Sequence, residues 1–222
     1  MRFNIAIDGP SAAGKSTIAK AVAKALGLIH LDSGAMYRAI AYKAYINGID
    51  INDEPKIKAF LLDTVIDFDS LGNVYLDHKD VSEPIRAENM SWLASSVSTL
   101  LSVREDMVRR QQEMALSKGV IMDGRDIGTV VLPDAEVKIF LTADVKSRAD
   151  RRYFEQKTKG LEVSYDEIYQ DIIKRDLQDT QRVHSPLKKA DDAFEVDTTN
   201  LSIDEVVNEI LKIIKHKIGE LE

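Results

Sequence analysis

The sequence predicts an α/β fold, a parallel β-sheet core flanked by helices, on three observations. Short apolar and β-branched runs recur along the chain, helical patterns separate them, and the first run leads straight into a glycine-rich turn that opens a helix. Parallel strands need long crossovers, and helices supply those crossovers while covering both faces of the sheet.

The elements follow in order. Phe3 to Asp8 reads as a short buried strand stopped by Gly9-Pro10. From Ser16 to Leu26 the apolar positions Ile18, Ala19, Val22, Ala23 and Leu26 fall at helical spacing, with Gly27 as the stop. Leu28 to Leu31 is a short apolar piece, after which Asp32-Ser33-Gly34 opens another helix. Residues 49 to 84 break the pattern: Thr64 to Phe68 and Asn73 to Asp77 alternate around Ser70-Leu71-Gly72 and predict a hairpin in a small β insert. A helical region from about Glu83 to Lys118, broken near Leu101-Ser102, comes next. Val120 to Asp123, Val137 to Leu141 and Phe194 to Asp197 are further strand candidates, and the first and last of them end in a carboxylate. Asp144 to about Arg182 is mostly helical, dense in charge and interrupted at Lys159-Gly160, a composition suited to a moving flap. Ser202-Ile203-Asp204-Glu205 forms a capping box before a helix carrying Val206, Ile210, Ile213 and Ile214 on one face.

Composition excludes whole classes of chemistry. The chain has 222 residues and no cysteine, which removes disulfide scaffolds, thiolate zinc, iron–sulfur clusters and a cysteine nucleophile. Its apolar runs fall far short of the ~20 residues a membrane helix needs, and Phe3 to Ile7 is too short for a signal-peptide core. A cytoplasmic protein with no membrane partner is expected. With 30 Lys plus Arg against 37 Asp plus Glu, net charge −7, an extended nucleic-acid surface is not expected. Any anion must be held by a local cluster of positive charge. The four histidines show no ligand spacing, and no dimerisation stripe stands out, so a monomer is expected.

Gly9-Pro10-Ser11-Ala12-Ala13-Gly14-Lys15-Ser16, followed by Thr17, satisfies G-x-x-x-x-G-K-[ST] between a strand and a helix, the context a P-loop requires. Its glycines let backbone N–H groups converge on one point, the helix N-terminus adds positive character, Lys15 reaches the outer phosphates of ATP, and the Ser16 hydroxyl can bind Mg²⁺. Asp123, at the carboxyl end of its strand, is a candidate Mg²⁺ partner, direct or through water, unless it simply ends the strand.

Arginine spacing is the second signal. Arg125 sits between Gly124 and Asp126; Arg148, Arg151 and Arg152 lie at i, i+3 and i+4; Arg175, Asp179 and Arg182 lie at i, i+4 and i+7. Each helical set shares a face, and guanidiniums grip phosphate oxygens bidentately. The alternative is a solvated surface of i,i+4 ion pairs. Asp32 to Arg38 offers a hydroxyl at Ser33, an aromatic face at Tyr37 and a guanidinium at Arg38 near a helix N-terminus, all suited to a second phosphorylated ligand, although Ser33 can equally be a cap.

In that order and spacing, GPSAAGKST, LDSGAMYR, MDGRDIGTVVLPDA and RDLQDTQRVHSPLKKADDAFEVDTT closely resemble the bacterial cytidylate kinases, over nearly the whole chain. The resemblance implies transfer of the γ-phosphoryl group of ATP to CMP or dCMP with Mg²⁺, on the P-loop NTPase or nucleoside monophosphate kinase fold. It implies a core at about 1–30, 118–143 and 190–222, an acceptor-binding lobe at about 31–117 containing the insert 49–84, and a helical lid at about 144–189. By the same resemblance Tyr37, Arg38, Arg125 and Arg182 look like acceptor-phosphate contacts, Arg175 and Asp179 like sugar contacts, and Ser33, Ser95, Arg104 and Asp126 like cytosine contacts. Lys15, Arg125, Arg182, Arg148 and Arg152 are the candidate catalytic cations, and Ser16 and Asp123 the candidate metal ligands. Leu177, Gln178 and Thr180 depart from the more highly charged lid segment of that family. Two other readings remain open at this point: a P-loop kinase for a hydroxyl acceptor, with Asp32 as base, and a nucleotide-binding switch, which the missing N-K-x-D motif disfavours.

Overall fold

A computed structural model of the protein describes residues 2–69, 72–87 and 89–219. Along the chain run β1 (Ile5–Asp8), α1 (Lys15–Leu26), β2 (Ile29–Asp32), α2 (Ser33–Ile46), α3 (Glu54–Leu61), β3 (Ile66–Phe68), β4 (Val74–Leu76) and β5 (Lys79–Asp80). After a 3-10 turn at Pro84–Arg86 come α4 (Met90–Val97), α5 (Leu101–Ala115) and β6 (Val120–Gly124). A π-helical turn at Ile127–Val131 leads to β7 (Val137–Thr142), α6 (Val145–Thr158), α7 (Tyr165–Gln181), β8 (Phe194–Asp197) and α8 (Ile203–Gly219). Two compact bodies result, Met1–Leu28 with Val120–Glu222, and Ile29–Gly119.

In the first body the strands run in the order β6-β1-β7-β8, all parallel. Every residue of β1 is buried, as a strand covered by helices on both faces must be. Ile5, Ile7, Ile121, Ile139 and Leu141 share one core with Ile18 and Val22 of α1 and Val206, Ile210 and Ile214 of α8. Each such side chain contributes roughly 1.5–3 kcal/mol on burial. Only Ile213 of the expected α8 face is less than fully buried. The capping box forms: Glu205 N–H donates to Ser202 Oγ at 3.3 Å, and Ser202 N–H donates to Glu205 Oε2 at 2.8 Å. The interruption expected at Lys159-Gly160 falls between α6 and α7, which pack through Ala149, Ile168 and Ile172 with Tyr153 edge-on to Tyr165.

In the second body α2 lies at the centre of a separate core with Met36, Ile40, Ile57, Val97 and Met107. The expected hairpin forms, with Ile66 opposite Leu76 in antiparallel register. Its expected turn residues Ser70 and Leu71 lie outside the described residues. Three features correct the sequence reading. The segment 49–84 is not purely β, because Asp53 caps Lys56 N–H at 3.2 Å and starts α3, which buries only Ile57 and Leu61. The hairpin gains a third strand, β5, after a turn that puts Asp77 and His78 at positive φ. The helical break lies just before Leu101, at 98–100, because Ser98 caps α4 and Leu100 turns extended.

Candidate active site

The P-loop folds as a strand-to-helix turn in the first body. Gly9 must be glycine: its φ is +151°, and a Cβ there would stand 2.2 Å from the Leu141 carbonyl oxygen at the end of β7. Lys15 is buried, 6% exposed, and its Nζ donates to the Pro10 carbonyl at 2.7 Å, so the ammonium curls back over the loop. Burial, helped by the like charge of Arg125, pushes its pKa down to about 7, against the pull of Asp123, Asp179 and Asp8. The Ser16 hydroxyl donates to Asp123 Oδ2 at 2.7 Å, and Asp123 is itself buried. Asp123 therefore does more than end a strand. Thr17, next along α1, is exposed.

A hydroxyl and a carboxylate oxygen in contact at the mouth of a phosphate loop are hard donors of the kind Mg²⁺ takes when substrate phosphates supply the rest. Among the described residues no group of three His, Asp or Glu forms a metal-holding cluster. The pair Ser16–Asp123 fits an ion brought in with a nucleotide.

Beyond β6 the charges alternate. Arg125 Nε donates to Asp179 Oδ2 at 2.7 Å. Arg182 stands 3.7 Å from Asp179 Oδ1 and 3.6 Å from Asp126 Oδ1, while its Nε donates to the Ser185 carbonyl at 2.6 Å. Burial opposes ionisation of Asp179, but Arg125, Arg182 and Arg175 outweigh it and hold the carboxyl below its usual range. Burial likewise opposes the charge of Arg125, and Asp179 more than restores it. Arg125, Asp126, Arg175, Asp179 and Arg182, spread over some sixty positions of sequence, thus form one charged cluster, and the solvated-surface alternative does not describe them.

The arginines of α6 behave differently from a shared phosphate-facing row. Arg148, 4% exposed, donates from Nε to the Ala143 carbonyl at 3.0 Å and from Nη1 to the Ser11 carbonyl at 3.1 Å, and its Nη2 pairs with Asp176 at 2.7 Å. Arg151 goes to Thr198, through both its hydroxyl and its carbonyl. Arg152 meets Glu155 at 3.5 Å and is partly exposed. One helix face sends its three guanidiniums to three destinations, because α7, β8 and solvent border it in turn.

The second body orders its own candidates. Asp32, not Ser33, caps α2: its Oδ1 accepts from Ala35 N–H at 3.0 Å, and its Oδ2 pairs with Arg38 at 2.8 Å. Burial raises the pKa of Asp32, yet Arg38 and the Ala35 amide outweigh it and leave the carboxyl low, a poor setting for the general base of a hydroxyl-acceptor kinase. Ser33 is buried in the first turn of α2. The Arg104 guanidinium, 3% exposed, lies over the Tyr37 ring at 5.6 Å. Its Nε donates to the Ser98 carbonyl at 3.1 Å, and Ser98 Oγ donates to the Ser95 carbonyl at 2.8 Å. Tyr37, Ser95 and Arg104 are therefore neighbours in one network.

Sequence reasoning missed Asp8. It closes β1 directly before Gly9 and is buried, accepting Ile127 N–H at 2.8 Å and Gly128 N–H at 2.7 Å. The signal was a third strand-ending carboxylate, but its partners lie more than a hundred residues away.

Comparison with known proteins supplies the family. The sequence model described as Cytidylate kinase matches residues 5–216. The curated cytidylate kinase of Bacillus pumilus (strain SAFR-032) is 54% identical over 213 residues, 95% of each chain. That of Bacillus licheniformis (strain ATCC 14580) is 51% identical over 217 residues, 96% of each. Among solved structures, an uncharacterized protein from Eubacterium ventriosum ATCC 27560 aligns with TM-score 0.52 at 13% identity, covering 97% of this chain and 99% of that one. Shikimate kinase from Bacteroides thetaiotaomicron aligns with TM-score 0.50 at 15% identity over the same shares. At such identities the structural likeness speaks for the fold alone, a parallel sheet flanked by helices. The family model spans residues 5–216 and the curated relatives, at 51–54% identity, cover 95–96% of the chain: the chain belongs to the cytidylate kinase family.

Proposed function

We propose that this protein transfers the γ-phosphoryl group of ATP to CMP or dCMP, releasing ADP and CDP or dCDP. What supports the reading most is the Ser16–Asp123 contact of 2.7 Å at the head of α1, in the same body as the Arg125–Asp179–Arg182–Asp126 cluster. The P-loop amides and Lys15 take the donor phosphates, Lys15 leaving the Pro10 carbonyl for a stronger, anionic partner. Ser16 and Asp123 would hold Mg²⁺, which when bound would supply charge neutralisation at the phosphates.

Arg125, Arg182, Tyr37 and Arg38 take the acceptor phosphate, Arg175 and Asp179 the sugar, and Ser33, Ser95, Arg104 and Asp126 the cytosine. Arg148 and Arg152 complete the cations, Arg148 by bracing the Ser11 carbonyl of the phosphate loop. The acceptor is a phosphate monoester with a second pKa near ~6, so at neutral pH it is largely a dianion and needs no base. Its oxygen bonds to the γ-phosphorus as the bond to the β–γ bridging oxygen breaks, and ADP leaves with that electron pair. Catalysis is alignment and charge neutralisation.

The test is ADP release from ATP with CMP, dCMP, UMP, AMP and GMP as acceptors. CMP and dCMP are expected to be fastest, and Lys15→Ala to lower kcat about a thousandfold or more. Equal release without any acceptor, or faster release with AMP or GMP than with CMP and dCMP, would overturn the reading.

A further inference from the structure

We propose that Asp8 is a specificity-positioning residue: it caps the turn after β6 in place of Asp126, and so keeps the Asp126 carboxylate turned to Arg182 and available for the base of the acceptor. This rests on the assignment of Asp126 to cytosine made above.

The π-helical turn Ile127–Val131 begins after Asp126, which stands in its N-cap position with φ −144° and ψ 23°. An aspartate there ordinarily accepts from the backbone N–H groups of the first turn. Here its side chain makes no such bond. Its main chain serves the turn instead, the carbonyl accepting from Val130 N–H at 2.9 Å and Val131 N–H at 3.1 Å. The two leading amides are already taken, Ile127 N–H by Asp8 Oδ1 at 2.8 Å and Gly128 N–H by Asp8 Oδ2 at 2.7 Å.

The approach that makes this possible is tight. A Cβ on Gly128 would stand 3.2 Å from Lys138 Cδ and 3.3 Å from Asp8 Oδ2. Lys138, whose stem passes close by, has its ammonium committed elsewhere, Nζ donating to Asp192 at 2.9 Å, while Lys15 acts on Asp8 through its charge and itself donates to the Pro10 carbonyl. The like charges of Asp8 and Asp126 repel, which further disfavours Asp126 on the capped side and favours the side of Arg182, 3.6 Å away. Asp8 also ends the strand from which the phosphate loop springs, so one side chain ties the donor loop to the turn carrying Arg125 and Asp126.

Asp8→Asn keeps the shape but sets an NH₂ against one of the two amides. Its expected effect is a fall of about tenfold in the ratio of kcat/KM for CMP over UMP, carried mainly by KM for CMP, with KM for ATP within about twofold of the parent. In an Asp126→Ala background the same change should leave the ratio where Asp126→Ala alone puts it. If Asp8→Asn does not fold, Gly128→Ala, which presses on the same carboxylate, replaces it and is expected to lower the ratio in the same direction. A folded variant that loses stability but keeps the ratio would show Asp8 to be structural only and overturn the proposal. An unchanged ratio in Asp126→Ala itself would instead remove the cytosine assignment on which the proposal stands.

Discussion

A single methyl group decides whether the phosphate loop can exist. At Gly9 the added carbon would meet the Leu141 carbonyl at less than van der Waals distance, in a backbone conformation that side chains rarely adopt, so β7 and the loop cannot both keep their places. Gly9→Ala is expected to cost several kcal/mol of stability and to abolish ATP binding, read by urea unfolding and by nucleotide titration of whatever folds. A variant with parental stability would mean the strand end yields easily. Lys15 shows the complementary economy, an ammonium that donates back to the Pro10 carbonyl of its own loop. Both residues were legible in the sequence because a P-loop is a local pattern read over eight positions. Asp8 was not, since its meaning lies in amides 119 and 120 positions further on, and a strand-ending carboxylate by itself says nothing about what it will accept from.

Among the elements, α6 turns a sequence row of arginines into a brace. The Arg148 fork holds Ala143, Ser11 and Asp176 at once, linking the end of β7, the phosphate loop and α7. Lysine carries the charge without the fork. Arg148→Lys is therefore expected to lose roughly 3 kcal/mol of stability, because Asp176 loses its partner in a largely buried setting, and to weaken ATP binding more than CMP binding, measured by chemical denaturation and separate KM values. Equal effects on both substrates would argue against a brace on the donor loop. Helical spacing announced that the arginines share a face, but where the face points depends on α7 and β8, which no spacing encodes. The same limit hid α3, whose two buried residues, Ile57 and Leu61, leave almost no periodic signal, whereas α8, with a capping box and a full apolar stripe, was readable end to end. The π-helical turn left no pattern at all, since Asp8, not its own sequence, caps it.

For the molecule as a whole, the charged groups respond to acid in opposite directions. Asp32 and Asp179 are held low by arginines, so their contribution is complete above the usual carboxylate range and is lost only as pH falls through their depressed values. Asp8 runs the other way: burial raises it from 3.8 to about 6, with Asp126 adding and the Ile127 and Gly128 amides and Lys15 subtracting. The folded state then binds a proton between those values that the unfolded chain does not, so this group's contribution grows as pH falls from about 6 toward 3.8 and is flat beyond. Approaching the isoelectric point near 5.2 also relaxes the self-repulsion of a net charge of −7. Nucleotide-free protein is accordingly expected to hold or gain stability from pH 7 to 5 and to lose it steeply below 4. The stability difference between parent and Asp8→Asn should move in the parent's favour by on the order of 1 kcal/mol per pH unit within the window, and urea midpoints taken at half-unit steps would show it. A steady decline of the parent from pH 7 downward, parallel to Asp8→Asn, would mean that Asp8 titrates as an ordinary carboxylate. Net charge was countable from composition, but the sign of each response depends on burial and on partners fixed by the fold. An aspartate whose charged form is disfavoured by burial, yet which holds two amides beside the arginine–aspartate cluster, is what a residue kept for positioning, and not for stability, should look like.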